Sequence, residues 1–182
     1  MPQLILSQLI LYACPVGPLA DQIEAYYARS LEAFGPNRAH AYMPHCTLTG
    51  FFTDEAVSIP LYVDAAAQAM APSTSTPITI DKLHLKPDWH GLSLTAPALE
   101  QLTATFARQA DSPTRKELIR VKTHLHLSLA YGFPKEQHEP LAQLAEQSVD
   151  PTKPVRWQLR FYERHPSGDW TCHFQAPLKT DI

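Results

Sequence analysis

Hydrophobic positions along the 182-residue chain switch between two spacings. From Leu4 to Tyr12 apolar residues run almost unbroken, which predicts a buried strand. From Leu19 to Phe34 they recur every three or four residues, with Pro18 where a first helical turn tolerates it and Gly35 at the end, which predicts an amphipathic helix. Residues 45 to 52 predict a second strand, and Ser58 to Met70 a second helix. An extended run from Ile78 to Leu85, a turn at Pro87 to Gly91 and a strand from Leu92 to Thr95 predict a hairpin joining two halves. A helix from Pro97 to Ala110 follows, with Thr95 placed to cap it. After a charged loop from Asp111 to Lys122, the pattern predicts a strand over His124 to Tyr131 and a helix over Glu139 to Gln147. Two last strands, Val155 to Arg164 and Trp170 to Gln175, flank the turn residues Pro166 to Asp169. The order is βαβαβ followed by βαβαββ, as one α+β unit used twice about a pseudo-twofold axis would give.

One short pattern occurs in both halves. His45-Cys46-Thr47-Leu48 and His126-Leu127-Ser128-Leu129 each read His, any residue, Thr or Ser, then an apolar residue, and each follows the first helix of its half. Side chains alternate between the faces of a strand, so His45 shares a face with Thr47 and His126 with Ser128, while Cys46, Leu48, Leu127 and Leu129 point away. Cys46 is thus expected to be an inert core thiol despite its neighbour. Two imidazoles and two hydroxyls facing one another across a cleft would supply a base, an acid and two donors to an anion. Those are the groups that hydrolysis of a strained cyclic phosphate needs.

Composition narrows the setting. Apolar residues make up 45%, ordinary for a globular chain, and 15 Lys plus Arg against 18 Asp plus Glu leave a formal charge of −3. That balance argues against a duplex-binding surface and suits a small anionic ligand. No run approaches the roughly 20 apolar residues of a membrane span. The apolar N-terminal stretch has no basic residue ahead of it and is interrupted by Ser7 and Gln8, so it reads as a strand rather than an export signal. Cys14, Cys46 and Cys172 are odd in number, widely spaced and without a CxxC pair, which argues against a disulfide framework and favours the cytoplasm. The 17 prolines sit mostly at element boundaries and read as loop punctuation.

At the two motifs the chain resembles the two-histidine (2H) phosphoesterase superfamily, which includes LigT-like proteins and cyclic phosphodiesterases. Gly35-Pro36-Asn37-Arg38-Ala39-His40, Pro44 to Thr49, Phe51-Phe52, Lys122 and His126 to Ala130 together resemble the 2H domain of TULA-type proteins. The resemblance implies a single α+β domain over residues 1–182, a duplicated two-lobe fold whose antiparallel sheets line a central cleft with helices outside. It implies a metal-independent, cofactor-free 2',3'-cyclic phosphodiesterase giving 2'-phosphate products, with His126 activating water and His45 protonating the leaving oxygen. Thr47 and Ser128 would bind phosphate oxygens, and Tyr131, one strand step beyond the motif, would either reach substrate or pack. The expected partner is a small nucleotide or an RNA-end or ADP-ribose cyclic phosphate, with no duplex nucleic acid and no membrane, and the expected state is a monomer.

Two other readings remain open on the sequence. The chain could be a nucleotide or RNA-end binding module that keeps the pocket without turnover. It could also be a zinc hydrolase using His124, His126 and His45, because His-x-His on a strand suits zinc, although that leaves Thr47 and Ser128 unexplained. Around the motifs, Arg38 and His40 would touch phosphate or brace a loop, Trp89 and His90 would stack on a base or cover the hairpin, and Lys122 would raise the local potential or be solvated.

Overall fold

The computed structural model describes residues 5–71 and 75–179, so Leu4, the expected start of the first strand, lies outside the described residues. The elements are β1 (Leu6–Val16), α1 (Pro18–Phe34), β2 (Cys46–Thr47), β3 (Phe52–Glu55), α2 (Ile59–Met70), β4 (Thr79–Lys86), β5 (Trp89–Thr95), α3 (Pro97–Gln109), β6 (His126–Tyr131), α4 (His138–Ser148), β7 (Arg156–Arg164) and β8 (Trp170–Leu178). Every strand pair is antiparallel, in the order β4-β5-β6-β2-β1-β7-β8, with β3 also on β1. The fold is α+β, as the two periodicities predict.

The two halves exchange their last strands. β1, α1, β2 and α2 are matched in order by β5, α3, β6 and α4, yet β4, which follows α2, pairs with β5 of the second half. Likewise β7, which follows α4, returns to pair with β1. The helices exchange too, α1 packing on α4 and α2 on α3. Between the halves, β2 and β6 meet at the pair Cys46↔Leu127, with the bridge Thr49↔Val121 nearby.

Alternation along the strands gives the sheet two unlike faces. Leu9, Leu11, Ala13, Cys46, Leu48, Leu92, Leu127, Leu129, Leu159 and Phe161 form one buried core with Leu19, Ile23 and Tyr26 of α1, Tyr62 of α2, Leu99 and Phe106 of α3 and Ala145 of α4. The opposite face carries a smaller cluster, Ile10, Tyr12, Cys14 and Tyr162, with Met43, Phe51 and Trp170 against it. The motif side chains belong to that second face.

Three local expectations differ from the structure. β1 runs through Pro15 instead of ending at Tyr12. Leu11 N–H points to the β2 side, where it donates to Thr49 Oγ1 at 3.1 Å. Pro15, four residues on, has the same orientation, but β2 no longer pairs beyond Ala13, so its missing N–H removes no ladder bond. The expected strand over residues 45 to 52 is broken into β2 and β3, because Leu48 N and Thr49 N both donate to Leu11 O, at 3.1 and 3.4 Å, which sets two residues opposite one. Thr95 does not cap α3: its hydroxyl donates to Asp81 Oδ2 at 2.8 Å, and the cap position is Ala96, with no side-chain bond.

Behind β3, Asp54 is fully buried and accepts from Tyr62 Oη (2.6 Å), Thr114 Oγ1 (2.6 Å) and Glu55 N (2.7 Å). Burial works to raise its pKa, but hydrogen bonds from Ser112, Thr114, Tyr62 and Glu55 N outweigh it and hold the carboxyl below its usual value. Asp54→Ala is expected to lose on the order of 3 kcal/mol of unfolding free energy, since it strands buried donors, as measured by chemical denaturation. A loss under about 0.5 kcal/mol would contradict that role.

Candidate active site

The Cys46↔Leu127 pair determines what meets across the halves. In an antiparallel ladder centred there, His45 lies across from Ser128 and Thr47 across from His126, so each imidazole faces the hydroxyl of the other motif. All four side chains line one cavity of about 260 Å³, together with Tyr27, Tyr42, Trp89 and Tyr131. Both motif strands bulge just after their histidines: Leu129 has no partner where β5 passes from His90↔Ala130 to Gly91↔Ser128, matching the distortion at Leu48 and Thr49. Bulges of this kind re-aim side chains beside a site.

The two imidazoles are oriented alike. His45 Nδ1 lies 2.7 Å from Met43 O, and His126 Nδ1 lies 3.0 Å from His124 O. A carbonyl can only accept, so Nδ1 carries the proton in each ring and Nε2 is left for substrate. Their surroundings differ. His45 is half-buried against the rings of Tyr12 and Tyr42, with centroids 4.1 and 5.4 Å away, whereas His126 is exposed. Burial pushes the pKa of His45 down to about 4, and positive charge on His126 works in the same direction, against a smaller opposing effect of the bond to Met43 O. At neutral pH His45 is therefore an unprotonated imidazole with a free Nε2 lone pair.

Of the two hydroxyls, that of Ser128 has a fixed partner. Trp89 Nε1–H donates to Ser128 Oγ at 2.9 Å, which occupies an acceptor position of that oxygen and leaves its own O–H to bind a ligand. Thr47 has no hydrogen bond from its hydroxyl among the described residues. The Trp89 ring passes over Gly91, where an added Cβ would lie 2.4 Å from Trp89 Cζ2 and from Leu127 O, and stands edge-on to His126 with centroids 5.4 Å apart. Trp89 thus touches both members of the second motif.

The remaining expected residues divide clearly. Tyr131 lines the cavity, and burial raises its phenol pKa. His40 braces the loop: its Nδ1 accepts from Asn37 N at 2.9 Å, and its Nε2 lies 3.0 Å from Ser30 Oγ and 3.1 Å from Tyr27 O. The Arg38 side chain packs beside Gly132, whose φ of +66° a side chain would strain. His90 is buried, with its Nε2 3.0 Å from His138 Nδ1, so it belongs to the hairpin's interior. Lys122 is exposed and enters the fold through its backbone N–H, which donates to Leu48 O at 2.8 Å. Cys46 is buried, and its thiol pKa is pushed up to about 12 by burial. Among the described residues no three His, Cys, Asp or Glu side chains gather as a metal-ligand set.

Sequence reasoning missed three groups around the cavity. Tyr27, on α1, donates to Ser128 O at 2.7 Å and holds the second motif from behind. Tyr42 lines the cavity, and Arg164 lies over the rings of Tyr42, Phe51 and Trp170 at 5.5, 6.0 and 5.6 Å. They come from α1, a loop and β7, and nothing in their local sequence marks them as neighbours of the motifs.

No protein-family model matches the chain. In sequence it is 27% identical over 165 residues to an ecdysteroid-phosphate phosphatase of Bombyx mori, covering 87% of this chain and 25% of that protein. It is 29% identical over 167 residues to ubiquitin-associated and SH3 domain-containing protein B of Homo sapiens, covering 86% and 25%. The chain thus spans about a quarter of the length of these relatives. In structure it is similar to Escherichia coli LigT complexed with 3'-AMP, with a TM-score of 0.56, 17% identity and coverage of 96% and 99% of the two chains. LigT complexed with phosphate gives a TM-score of 0.54 at 18% identity, with coverage of 96% and 99%. Among the described residues no helix is long and apolar enough to cross a membrane.

The protonation state of His45 is directly measurable. In a pH titration of the imidazole signals by NMR, His45 is expected to titrate with a midpoint near 4 and to be the neutral Nδ1–H tautomer at pH 7. A midpoint at or above the ordinary value of about 6.5 would contradict the effect of burial.

Proposed function

We propose, for a chain with the LigT-like 2H phosphoesterase fold, that it hydrolyses 2',3'-cyclic phosphates by paired histidine acid–base catalysis. The observation that carries this reading is the Cys46↔Leu127 pair, which sets two histidine–hydroxyl couples around one cavity of about 260 Å³. Such a cavity lies at or below the small end of ordinary ligand sites, about 300 Å³, and suits a compact anion such as a ribose cyclic phosphate. Phosphoester substrates are also in keeping with the LigT complexes with phosphate and 3'-AMP and with the phosphatase among the relatives.

The neutral His45 is suited to act as base and the exposed His126 as acid, the reverse of the assignment that the resemblance alone implies. His45 Nε2 takes a proton from water as its oxygen bonds to phosphorus. The bond from phosphorus to the ribose 3'-oxygen breaks, and His126 Nε2–H protonates that oxygen to leave a 2'-phosphate. His45 ends protonated and His126 neutral, and exchange with solvent resets both. Thr47 and Ser128 donate to the non-bridging oxygens, where negative charge grows as phosphorus becomes five-coordinate.

Both histidines are expected to be required, with His45→Ala and His126→Ala each lowering kcat/KM on 2',3'-cyclic AMP by about 10²–10⁴-fold. Thr47→Val and Ser128→Ala are each expected to remove roughly 1.5–3 kcal/mol of transition-state binding. A diester with a nitrophenolate leaving group separates the roles, because such a group departs without an acid. His126→Ala should then recover much of its activity and His45→Ala should not. The opposite pattern would restore the reverse assignment, and near wild-type turnover of the cyclic nucleotide by either variant would end the mechanism.

The pH dependence carries a sign. A base works unprotonated, so kcat/KM is expected to rise as pH increases through about 4, where His45 loses its proton. Exhaustive chelation is expected to leave this rise in place. Activity lost to the chelator and restored by zinc would favour metal-bound hydroxide.

A further inference from the structure

The tip of the β4–β5 hairpin is held from both of its faces. Trp89 and His90 open β5 directly after the turn at Pro87 and Asp88, and as neighbours on a strand they point to opposite sides. Trp89 faces the catalytic cavity, where its Nε1–H donates to Ser128 Oγ at 2.9 Å. His90 faces α4 and is fully buried. Its Nε2 lies 3.0 Å from Nδ1 of His138, the first residue of α4, and its ring stands against Phe133 and His138 with centroids 4.9 and 5.2 Å away. The phosphate chemistry described above uses neither of these two histidines.

A hydrogen bond between two imidazoles needs a hydrogen on one ring and a lone pair on the other. Glu139 Oε1 lies 3.6 Å from His138 Nε2 and favours the hydrogen on that nitrogen, which leaves His138 Nδ1 to accept from His90 Nε2–H. The contact meets β5 where its ladder is interrupted. The register with β6 shifts between His90↔Ala130 and Gly91↔Ser128 and leaves Leu129 without a partner, so backbone pairing alone does not fix the strand at this step. The Trp89 ring lies where a Cβ on Gly91 would stand, and it therefore moves with the same stretch of backbone. A shift of β5 at the bulge would draw the indole off Ser128, and the His90–His138 contact opposes that shift from the other face.

We infer that His138 is a positioning residue for the candidate active site: through His90 it fixes β5 at the bulge, and through Trp89 it keeps the Ser128 hydroxyl turned towards phosphate. The inference rests on the reading of Ser128 as a donor to the non-bridging oxygens. It makes the start of α4 part of the site's support, although no side chain of α4 lines the cavity. Negative charge on those oxygens grows as phosphorus becomes five-coordinate, so a displaced donor costs the transition state more than it costs bound substrate. The loss falls on kcat.

The test uses His138→Leu, which fills similar space without an acceptor, and His138→Asn, whose Oδ1 takes the place of Nδ1. His138→Ala repeats the first comparison with no side chain to accommodate. In ¹⁵N–¹H NMR the indole signal of Trp89 is assigned by its absence from Trp89→Phe. It is expected to move in His138→Leu towards its position in Ser128→Ala, and to keep its original position in His138→Asn. On 2',3'-cyclic AMP, His138→Leu is expected to lower kcat about tenfold with KM changed by less than about twofold, and His138→Asn to restore it. In a Trp89→Phe background, where the bond to Ser128 is already gone, His138→Leu is expected to cost nothing further, whereas in a Thr47→Val background it is expected to cost its full factor. An unmoved indole signal, an equal loss in His138→Leu and His138→Asn, or the same loss with and without the Trp89 indole would each overturn the inference and make His138 a packing residue. Absence of turnover by the unaltered chain would overturn the phosphodiesterase reading, and the indole signal would still decide whether His138 holds the bond between Trp89 and Ser128.

Discussion

The arrangement depends on one ladder pair where two halves of a sheet meet beside the bridge Thr49↔Val121: Cys46 of β2 opposite Leu127 of β6. Both residues occupy the second position of their motif, and both are fully buried beneath the helices. Burial of these two side chains forces the flanking residues to the opposite face, so hydrophobic packing on one side determines the chemistry on the other. A slip of one residue would turn every motif side chain into the core. The exchanged strands guard against that slip, since β7 is tied to β1 over nine paired residues and β4 is tied to β5, and each half is thereby braced by an element from the other.

Symmetric strands do not give the two histidines symmetric surroundings. Each imidazole is held by a backbone carbonyl at its Nδ1, yet one is wedged between Tyr12 and Tyr42 and the other stands at the open side against the edge of Trp89. Removing water from His45 lowers its affinity for a proton and leaves its imidazole neutral at pH 7. Burial raises the phenols of Tyr27 and Tyr131 in the cavity wall and of Tyr12 beside His45, so these stay protonated there. The hydroxyls differ too, the Ser128 hydroxyl being held by Trp89 and its backbone carbonyl by Tyr27, while no hydrogen bond holds the Thr47 hydroxyl among the described residues.

Much of this was legible in the chain because it is local. The alternation of His45, Cys46, Thr47 and Leu48 is a strand property, the three-to-four spacing of α1 is a helix property, and the recurrence of both in the second half implies duplication. What was not legible is set by long-range pairing. The return of β7 to β1 could not be read from either strand, and with it went the approach of Arg164 to Tyr42 and of Trp170 to Tyr12. Trp89 was visible as a hairpin aromatic, but its bond to Ser128 needs Gly91 between them and the bulge that leaves Leu129 unpaired. The apolar run ends at Tyr12, yet β1 continues through Pro15, because a strand can pass through proline where the neighbouring strand has already stopped.

The proposed activity predicts a specific product, and that product can be observed. Incubating 2',3'-cyclic AMP in ¹⁸O-labelled water and following phosphorus by NMR should show a single 2'-phosphate carrying one labelled oxygen, formed by the unaltered chain and not by the His45→Ala/His126→Ala double variant. An absence of product, or equal product formation by the double variant, would contradict two-histidine catalysis at this site.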